Sequence, residues 1–568
     1  MISADLRARV EAWIADDPDP GDQAELLTLL ADGRPAAAAE LADRFGGRLE
    51  FGTAGLRGAV AAGPNRMNRA VVRAATAALA GWLRDRGPVA AGVVVGCDAR
   101  HGSAAFADEA ARVLAGAGVP VYLLPRPCPT PLLAFSVLRL SAVAGVMITA
   151  SHNPAADNGY KLYLGDGAQI VPPADAEIEA AIEALGPLAG IPLGPLAGPL
   201  VRRPGDELAE AYLAAITAGT GTGSAAPLRI VYTPMHGVAG PLMLRAIAAA
   251  GFAAPHVVAA QADPDPDFPT VAFPNPEEPG ALDLALAEAR RTGADLVLAS
   301  DPDGDRLAVA VPGPGGDWRR LTGDQLGALI GSYLLDQTAA EPEPADRLVV
   351  TTIVSSTLLS SIAAAAGARY AETLTGFKWI VRAGPGRFVF GYEEALGYAA
   401  GRAVRDKDGM GAAVAVLGLA ARARREGRSL LDVYDDLEAA HGVHLTAQLT
   451  LRTTAPGQVM AALRTAHPAA LGGLPVLSAA DLAAADPAAG DPGELAAGGQ
   501  GLPPSDVIIY RLAGARMVIR PSGTEPKLKV YFEVVRPPGG DLASSRQAAA
   551  DRLGVLRAAA EELLASRA

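Results

Sequence analysis

Three aspartates occupy alternate positions in one short loop, Ala299-Ser300-Asp301-Pro302-Asp303-Gly304-Asp305-Arg306. The loop follows the apolar run Leu296 to Leu298, which places the carboxylates at the end of a predicted strand. Carboxylates this close repel one another unless a cation joins them, and hard oxygen ligands suit Mg²⁺ or Ca²⁺. An EF-hand is excluded because Arg306 stands where that loop needs glycine and Pro312 where it needs glutamate. The spacing therefore predicts a metal site of a different kind.

A serine stands in a comparable place after the apolar run Val143 to Ile148, in the loop Thr149-Ala150-Ser151-His152-Asn153-Pro154. A serine hydroxyl is a poor nucleophile unless a base, a metal or a positive field assists it. The loop is not a Gly-x-Ser-x-Gly turn, so acyl transfer has no particular support. Lys161 follows ten residues later, near enough to fold back over the serine. In the company of the metal loop, Ser151 is a candidate nucleophile.

A third loop collects hydroxyls and cations after the strand-like run Arg516 to Ile519, and it reads Arg520-Pro521-Ser522-Gly523-Thr524-Glu525-Pro526-Lys527. Two hydroxyls, an exposed glycine backbone and two cations make a compact anion nest. Arginine supplies a bidentate fork, and lysine a point charge, for phosphate oxygens. This loop is predicted to bind a phosphate group.

Weaker signals come from shorter segments. Arg57 is the one cation of a flexible glycine-rich loop, Gly52 to Gly58, and the paired glutamates of Gly391-Tyr392-Glu393-Glu394-Ala395-Leu396-Gly397 suit sugar hydroxyls. Further cations stand in Thr375-Gly376-Phe377-Lys378 and Arg405-Asp406-Lys407-Asp408. His236 follows a strand, where a capping role and catalysis are both open, whereas His441 and His444 are interpreted as structural or surface residues.

The elements that must position these loops alternate between strands and helices. Short β-branched runs at Val93, Val143, Ile230, Leu296 and Leu348 are each followed by a polar loop and an Ala/Leu-rich helical stretch. This alternation predicts βαβ units, whose ligands bind at the carboxyl ends of strands. Three such starts, at Val93, Ile230 and Val349, hint at an internal repeat. Helices are predicted in the first fifty residues and from Ser544 to Ala568, and a loop from about Ala479 to Pro504.

Composition bounds the class of protein. The 568 residues suggest about four domains. The net charge is −13, which argues against nucleic acid as a partner. No apolar run approaches the ~20 residues of a membrane span, and the N-terminus lacks the apolar core of a signal peptide, so we expect a soluble cytoplasmic protein. Cys97 and Cys128 are expected to be buried free thiols.

Together and in this order, the loops resemble the α-D-phosphohexomutase superfamily, which holds phosphoglucomutases and phosphomannomutases. The resemblance runs from Phe51 to about Val534. It implies three related α/β domains with mixed sheets plus a C-terminal α+β domain around a central cleft. The expected domains are 1–215 with an N-terminal helical extension and the phosphoserine loop, 216–326 with the metal loop, 327–440 with the sugar loop, and 441–568, a mobile domain with the phosphate loop.

The resemblance also implies roles for the candidates. Ser151 would be the phosphorylated serine, and the three aspartates would hold one Mg²⁺ per chain with the phosphoserine as a further ligand. Arg57 and Lys161 match positions near the reacting oxygen, and His152 joins them as a catalytic candidate. The residues assigned to substrate binding are Arg306, Thr375, Gly376, Lys378, Glu393, Lys407, Arg520, Ser522, Gly523, Thr524 and Lys527.

The implied reaction passes through a sugar bisphosphate, which is both intermediate and activator. The phosphoserine phosphorylates a sugar monophosphate, and the bisphosphate turns end for end and returns its other phosphate to Ser151. The general base stays open among Arg57, Lys161 and His236. The expected partners are small-molecule sugar phosphates, with no nucleic acid and no membrane, for a monomer or homodimer.

The substrate is predicted to be a hexose, glucose or mannose or both, whose 1- and 6-phosphates are interconverted. Ala395 stands where many glucomutases of the family carry serine, and Gly-Thr-Ala-Gly-Leu-Arg-Gly resembles the branch that includes phosphopentomutases. A phosphopentomutase is therefore the alternative. A metal-dependent phosphatase is disfavoured because it needs neither Glu393 nor a second phosphate site. A non-enzymatic sensor is disfavoured by the intact serine and aspartates.

Overall fold

The computed structural model describes residues 2–52, 55–125, 127–218, 227–453, 455–484, 502–521 and 527–567. Contacts between Cα atoms divide the chain into two compact units. Unit 1 comprises residues 1–218, 228–308 and 403–411, and unit 2 comprises residues 219–227, 309–402 and 412–568. Each unit has sheets and hydrophobic cores of its own.

Unit 1 alternates helices and strands. Its helices are α1 (Ala4–Asp16), α2 (Pro20–Ala31), α3 (Pro35–Arg44), α4 (Arg69–Arg86), α5 (Ser103–Gly116), α6 (Thr130–Arg139), α7 (Ala174–Glu183), α8 (Glu207–Thr217), α9 (Gly240–Ala249) and α10 (Asp283–Thr292). Its strands are β1 (Leu56–Ala59), β2 (Val93–Cys97), β3 (Val121–Leu123), β4 (Ala144–Ile148), β5 (Asp157–Leu164), β6 (Val201–Arg202), β7 (Ile230–Thr233), β8 (His256–Val257) and β9 (Leu296–Ser300).

The N-terminal helices form as predicted and pack on one another. Their apolar faces share a small core that includes Leu6, Val10, Leu26 and Leu41. Asp19 caps α2 by accepting a hydrogen bond from the Gly21 amide, and proline follows at the first helical position.

A six-stranded sheet in the order β1-β5-β4-β2-β3-β6 positions three candidate residues. Strand β2 pairs parallel with β3 and β4, whereas β5 runs antiparallel to β4 and β1, so the sheet is mixed. Val93, Val95 and Cys97 alternate onto one face and enter the core. Ser151 follows the end of β4, Lys161 lies on β5 and Arg57 lies on β1.

A second sheet has the order β11-β10-β9-β7-β8, and its three strands in unit 1, β9-β7-β8, pair in parallel. Asp301 directly follows β9, and His236 follows β7. Both therefore lie at the carboxyl end of a parallel strand, the position expected for ligand-binding residues.

Unit 2 carries the remaining elements, of which β10 and α14 begin with residues of unit 1. Its strands are β10 (Leu307–Pro312), β11 (Trp318–Arg320), β12 (Arg347–Thr352), β13 (Arg369–Thr373), β14 (Arg387–Glu393), β15 (Gly397–Ala400), β16 (Val443–Arg452), β17 (Ala470–Leu471), β18 (Leu474–Asp481), β19 (Ile508–Leu512), β20 (Ala515–Pro521) and β21 (Lys527–Arg536). Its helices are α11 (Gly323–Gln337), α12 (Leu358–Ala365), α13 (Phe377–Ile380), α14 (Gly409–Arg425), α15 (Leu430–His441), α16 (Pro456–Thr465) and α17 (Leu542–Ala565).

Two sheets organise most of unit 2. The first has the order β13-β12-β14-β15, with β12 parallel to both neighbours and β14 antiparallel to β15. The second is antiparallel in the order β16-β21-β20-β19-β18-β17, and α17 packs its buried residues Ala549, Leu556, Ala560 and Leu564 into the core of this sheet.

The strand orders confirm the predicted repeat. The runs β3-β2-β4-β5 and β13-β12-β14-β15 have the same order and the same directions, and β8-β7-β9 repeats the parallel part. The predicted starts at Val93, Ile230 and Val349 lie in β2, β7 and β12, the strands that pair in parallel with both neighbours.

Other expectations fare differently. The loop predicted from Ala479 is wrong at its start, because β18 continues to Asp481 in register with Ile508 of β19. Residues 485–501 of that segment lie outside the described residues. Cys97 and Cys128 are buried thiols that form no disulfide, as expected. Within the described ranges, every helix is too short or too polar to cross a lipid bilayer. The boundaries at 215, 326 and 440 stay a prediction.

Candidate active site

The three aspartates after β9 converge on one buried point. Their carboxylate oxygens lie within 4.8 Å of one another, and all three residues are fully buried. The loop turns at Gly304, whose φ is +71° and where an added Cβ would lie 2.7 Å from Ala239 Cβ. Only glycine fits this turn, and the turn is what brings the carboxylates together.

Two oxygens of the cluster, Asp303 Oδ1 and Asp305 Oδ1, are buried and accept no hydrogen bond from the part of the chain that the structure describes. A buried polar atom without a partner costs about 1–3 kcal/mol. An oxygen-only donor set of this kind fits Mg²⁺, which would give both atoms a partner. The residues present therefore fit the predicted metal.

Two lysines lie on the other oxygens of the cluster. Lys161 Nζ donates to Asp303 Oδ2 at 2.6 Å and to Asp305 Oδ2 at 2.7 Å. Lys407 Nζ lies 3.4 Å from Asp305 Oδ2. Burial works against the charge of Lys161, but the two carboxylates raise its pKa above the usual value, so the amine stays protonated at neutral pH.

The three carboxyls differ in their ionisation. Burial, and then the charges of the other two, raise the pKa of Asp301 well above its usual range. Burial also opposes ionisation of Asp303 and Asp305, but Lys161 beside both, and Lys407 beside Asp305, hold each pKa below its usual value. Asp301 is thus the carboxylate whose ionisation depends most on a bound cation.

Ser151 lies against this cluster. Its Oγ donates to Asp301 Oδ2 at 3.0 Å and lies 3.2 Å from His152 Nδ1. The residue is buried, and its φ of +54° is in the left-handed region, which is strained for a side chain other than glycine. The Ser151 amide donates to Thr149 Oγ1 at 2.9 Å. The turn predicted after β4 therefore directs the hydroxyl at the aspartate cluster.

The remaining basic candidates differ in their surroundings. Burial, and then the charges of Arg306 and Arg57, lower the pKa of His152 well below its usual value, so its ring is neutral at pH 7. Arg57 Nε is buried and makes no hydrogen bond within the described ranges. His236 Nε2 instead lies 2.8 Å from Thr270 Oγ1, and no hydrogen bond of His236 among the described residues reaches Ser151.

In unit 2 the paired glutamates lie at the end of β14, where Glu393 is its last residue and Glu394 follows it. Glu394 Oε2 accepts hydrogen bonds from Ser355 Oγ at 3.3 Å and Thr352 Oγ1 at 3.4 Å. Burial, and then the neighbouring charge of Glu393, raise the pKa of Glu394 to about 7. Near neutral pH this pair can therefore both donate and accept hydrogen bonds, which suits sugar hydroxyls.

The predicted phosphate-binding residues are partly brought together. Arg520 lies in β20 rather than in a loop, because Arg520 pairs with Lys529 of β21. Its Nη1 donates to Thr375 Oγ1 at 2.5 Å, and its buried Nε donates no hydrogen bond to the described residues. Gly376 leads into α13, which carries Lys378. Ser522, Gly523 and Thr524 lie outside the described residues, and Lys527 begins β21.

Arg306, which was assigned to substrate binding, contacts the aspartate cluster. Its amide donates to Asp301 Oδ1 at 3.0 Å, and its guanidinium donates to Glu277 at 3.3 Å. Sequence reasoning missed two further partners of the site. Thr130 Oγ1 donates to Asp303 Oδ2 at 2.6 Å, and Asp98 Oδ2 accepts from Thr149 Oγ1 at 2.6 Å. Asp98 could have been identified in the sequence by its position, because it directly follows β2.

Four models of one family match the chain in order. Those described as phosphoglucomutase/phosphomannomutase, alpha/beta/alpha domains I, II and III, match residues 48–187, 210–315 and 322–440. The model described as the phosphoglucomutase/phosphomannomutase C-terminal domain matches residues 475–538. The predicted fold class, three α/β domains with mixed sheets followed by a different C-terminal domain, is confirmed.

Relatives cover nearly the whole chain. A Haemophilus influenzae protein named "Probable phosphomannomutase" is 40% identical over 479 residues, which are 82% of this chain and 93% of that protein. The phosphopentomutase of Mus musculus is 35% identical over 580 residues, 95% of this chain and 92% of that protein. A solved phosphoglucomutase/phosphomannomutase family protein from Burkholderia thailandensis aligns with a TM-score of 0.65 and 21% identity, over 90% of this chain and 97% of that one. That likeness supports the fold alone.

Proposed function

This chain belongs to the phosphoglucomutase/phosphomannomutase family, and from that premise we propose that it is a hexose phosphomutase in which Ser151 carries the phosphoryl group. The proposed reaction interconverts the 1- and 6-phosphates of glucose, mannose or both through a sugar bisphosphate. The observation that carries the proposal is the Ser151 hydroxyl, 3.0 Å from Asp301 in a buried cluster of carboxylates and lysines.

Transfer requires charge stabilisation more than covalent help from the protein. In the first half-reaction the P–O bond to Ser151 Oγ breaks and a P–O bond to a sugar hydroxyl forms, while that hydroxyl loses its proton. In the second, the other phosphate's P–O bond to the sugar breaks and a P–O bond to Ser151 Oγ forms, while the serine loses its proton and the released sugar oxygen gains one. Lys161 and Lys407 place positive charge beside the cluster, and Arg57 offers a buried N–H donor without a partner among the described residues. These cations favour the negative charge that develops on the transferring oxygens.

We propose that His152 accepts the proton of the Ser151 hydroxyl. When the serine accepts a phosphoryl group, its Oγ must lose a proton, and the neutral imidazole 3.2 Å away can accept it. Lys161 is protonated and held by two carboxylates, so it acts as a cation rather than as a base.

Asp301, Asp303 and Asp305 are the residues that would hold Mg²⁺, and Ser151 Oγ is near enough to join them. The bound ion would withdraw charge from the phosphoryl oxygens and so stabilise the transition state. We assign binding of the sugar, and of the phosphate that is not reacting, to Glu393, Lys378, Arg520 and Thr375.

A phosphopentomutase is the second candidate. It is favoured by the 35% identity to the phosphopentomutase of Mus musculus and by Ala395, which lacks the hydroxyl found in many glucomutases of the family. A substrate panel of glucose, mannose, glucosamine and ribose 1-phosphates, with the product phosphate located by ³¹P NMR, separates the two. We expect a hexose 6-phosphate; conversion of ribose 1-phosphate alone would replace the hexose proposal, and free phosphate alone would indicate a phosphatase.

Ala395→Ser should shift the ratio of kcat/KM between hexose and pentose substrates. A hydrogen bond to a neutral sugar hydroxyl contributes about 0.5–1.5 kcal/mol, which is a several-fold change. Ala400→Ser, which adds the same hydroxyl at the end of β15, is the control and should leave the ratio unchanged. An unchanged ratio in Ala395→Ser would mean that this loop does not select the sugar.

Arg520→Ala should raise KM for sugar phosphates and lower kcat/KM. The fall in kcat/KM should correspond to a loss of about 1.5–3 kcal/mol in transition-state stabilisation, the scale of a hydrogen bond to a charged group. Phosphorylation of Ser151 should persist, since Ser151 and its neighbours belong to unit 1. Arg536→Ala removes an exposed cation from the end of β21 and should change neither parameter. An unchanged KM together with loss of serine phosphorylation would contradict the assignment of Arg520.

A further inference from the structure

One buried arginine binds the main chain of the loop that carries Ser151. Arg100 is 4% exposed, and its guanidinium donates to four carbonyl oxygens in this loop. The acceptors are Ser151 O at 2.6 Å, Asn153 O at 2.7 Å, Pro154 O at 2.7 Å and Asp157 O at 3.1 Å. A single side chain therefore holds the whole turn between β4 and β5.

Asp98 fixes Arg100 and reaches the other side of Ser151. The Arg100 amide donates to Asp98 Oδ1 at 3.1 Å, and Arg100 Nε lies 3.3 Å from Asp98 Oδ2. Asp98 Oδ2 also accepts the hydroxyl of Thr149, whose oxygen accepts the Ser151 amide. The Asp98–Arg100 pair thus holds Ser151 by its amide, through Thr149, and by its carbonyl directly.

Phe268 covers the guanidinium from a different segment of unit 1. Its ring centroid lies 5.0 Å from Arg100 Cζ, and the residue is 3% exposed. Phe268 has a φ of +47°, and Ser151 has a φ of +54°. Left-handed backbone at a bulky residue persists only where the surroundings enforce it. Arg100 contacts both strained positions.

We propose that Arg100 is the positioning residue for Ser151, holding the hydroxyl at the distance from the aspartates that phosphoryl transfer requires. The proposal rests on the proposed function of Ser151. The four hydrogen bonds of its guanidinium named above are to main-chain carbonyls, so Arg100 acts through the loop. Only a planar fork of donors holds four carbonyls in fixed geometry, which a lysine cannot reproduce. Misplacement of a reacting atom by about 1 Å costs up to about 100-fold in rate.

The test compares Arg100→Lys with a matched control, Arg347→Lys. Arg347 is 2% exposed and donates to three carbonyls in unit 2, those of Pro344, Leu335 and Ala366, at 2.5 to 2.7 Å. Both substitutions should lower the unfolding temperature. Arg100→Lys should also lower kcat about 30- to 100-fold, with KM for the sugar phosphate within about twofold of wild type. Arg347→Lys should keep the wild-type kcat.

Mass spectrometry of quenched reactions follows phosphoryl transfer from a sugar bisphosphate to Ser151 in the same proteins. A wild type that takes no phosphate on Ser151 would refute the proposed function itself. A phosphorylated wild type beside an Arg100→Lys variant with unchanged kcat would refute the role of Arg100 alone. If Arg100→Lys does not fold, Phe268→Leu decides: a kcat lowered about threefold or more at constant KM supports the proposal, and an unchanged kcat overturns it.

Discussion

Ser151→Ala is expected to lower kcat by about 10⁴-fold or more, the scale of removing the nucleophile from a covalent mechanism. The substitution deletes the atom that accepts the phosphoryl group. The hydroxyl itself touches Asp301 and His152, whereas the main-chain contacts of the turn stay. The unfolding temperature should therefore remain close to that of the wild type, and steady-state turnover with a hexose 1-phosphate measures the loss.

Ser141→Ala is the matched control. Ser141 also has left-handed backbone, with a φ of +51°, but it is exposed and lies before β4. The Ser141→Ala variant shows how much alanine lowers the unfolding temperature at a residue with left-handed backbone away from the site. Its turnover should equal that of the wild type. Turnover of Ser151→Ala above about one-hundredth of wild type would rule out the serine as the phosphoryl carrier.

Asp303→Asn is expected to lower kcat about 10²- to 10³-fold and to raise the half-saturating Mg²⁺ concentration at least about 10-fold. The substitution removes one anionic ligand, and it also takes a charged partner from Lys161, which donates to Asp303 at 2.6 Å. High Mg²⁺ should restore part of the rate, because Asp301 and Asp305 remain. A titration of turnover against Mg²⁺ measures both effects.

Asp324→Asn is the control for losing a buried carboxylate. Asp324 Oδ1 accepts from the Ser356 amide and Oδ2 from the Thr446 hydroxyl in unit 2. Asparagine keeps an oxygen for the amide, and its NH₂ group can donate to the hydroxyl oxygen of Thr446. The Mg²⁺ dependence of Asp324→Asn should match that of the wild type. If a chelator leaves wild-type turnover unchanged, the metal assignment is wrong.

The loops that carry chemistry were predictable from sequence because each follows an apolar strand. Ligands of such sheets bind at the carboxyl ends of strands, which made each loop a candidate, but β4 and β9 belong to different sheets, so this rule did not place the two loops beside one another. The structure places Ser151 against Asp301 although 150 residues separate them. The family resemblance supplied the roles, which strand periodicity alone does not contain.

Other parts of the site had no local signal. Arg100 binds carbonyls more than fifty residues away, and Thr130 binds Asp303 across 173 residues. An isolated polar residue after a strand belongs to no spaced motif. The sequence therefore does not show whether it makes such a distant contact or simply lies in a turn. The position of Arg520 in β20 depends on pairing with β21, which composition does not reveal. The raised pKa of Glu394 follows from burial, which also depends on the assembled fold.

The phosphorylation state of Ser151 shows directly whether this serine carries the phosphoryl group during turnover. Wild-type protein is incubated with glucose 1,6-bisphosphate, and its peptides are analysed by mass spectrometry before and after a hexose monophosphate is added. We expect one phosphate on Ser151 before the hexose monophosphate is added. This phosphate should then pass to the sugar and appear in a bisphosphate. Full mutase turnover without phosphate on Ser151 at any time would contradict the phosphoserine mechanism.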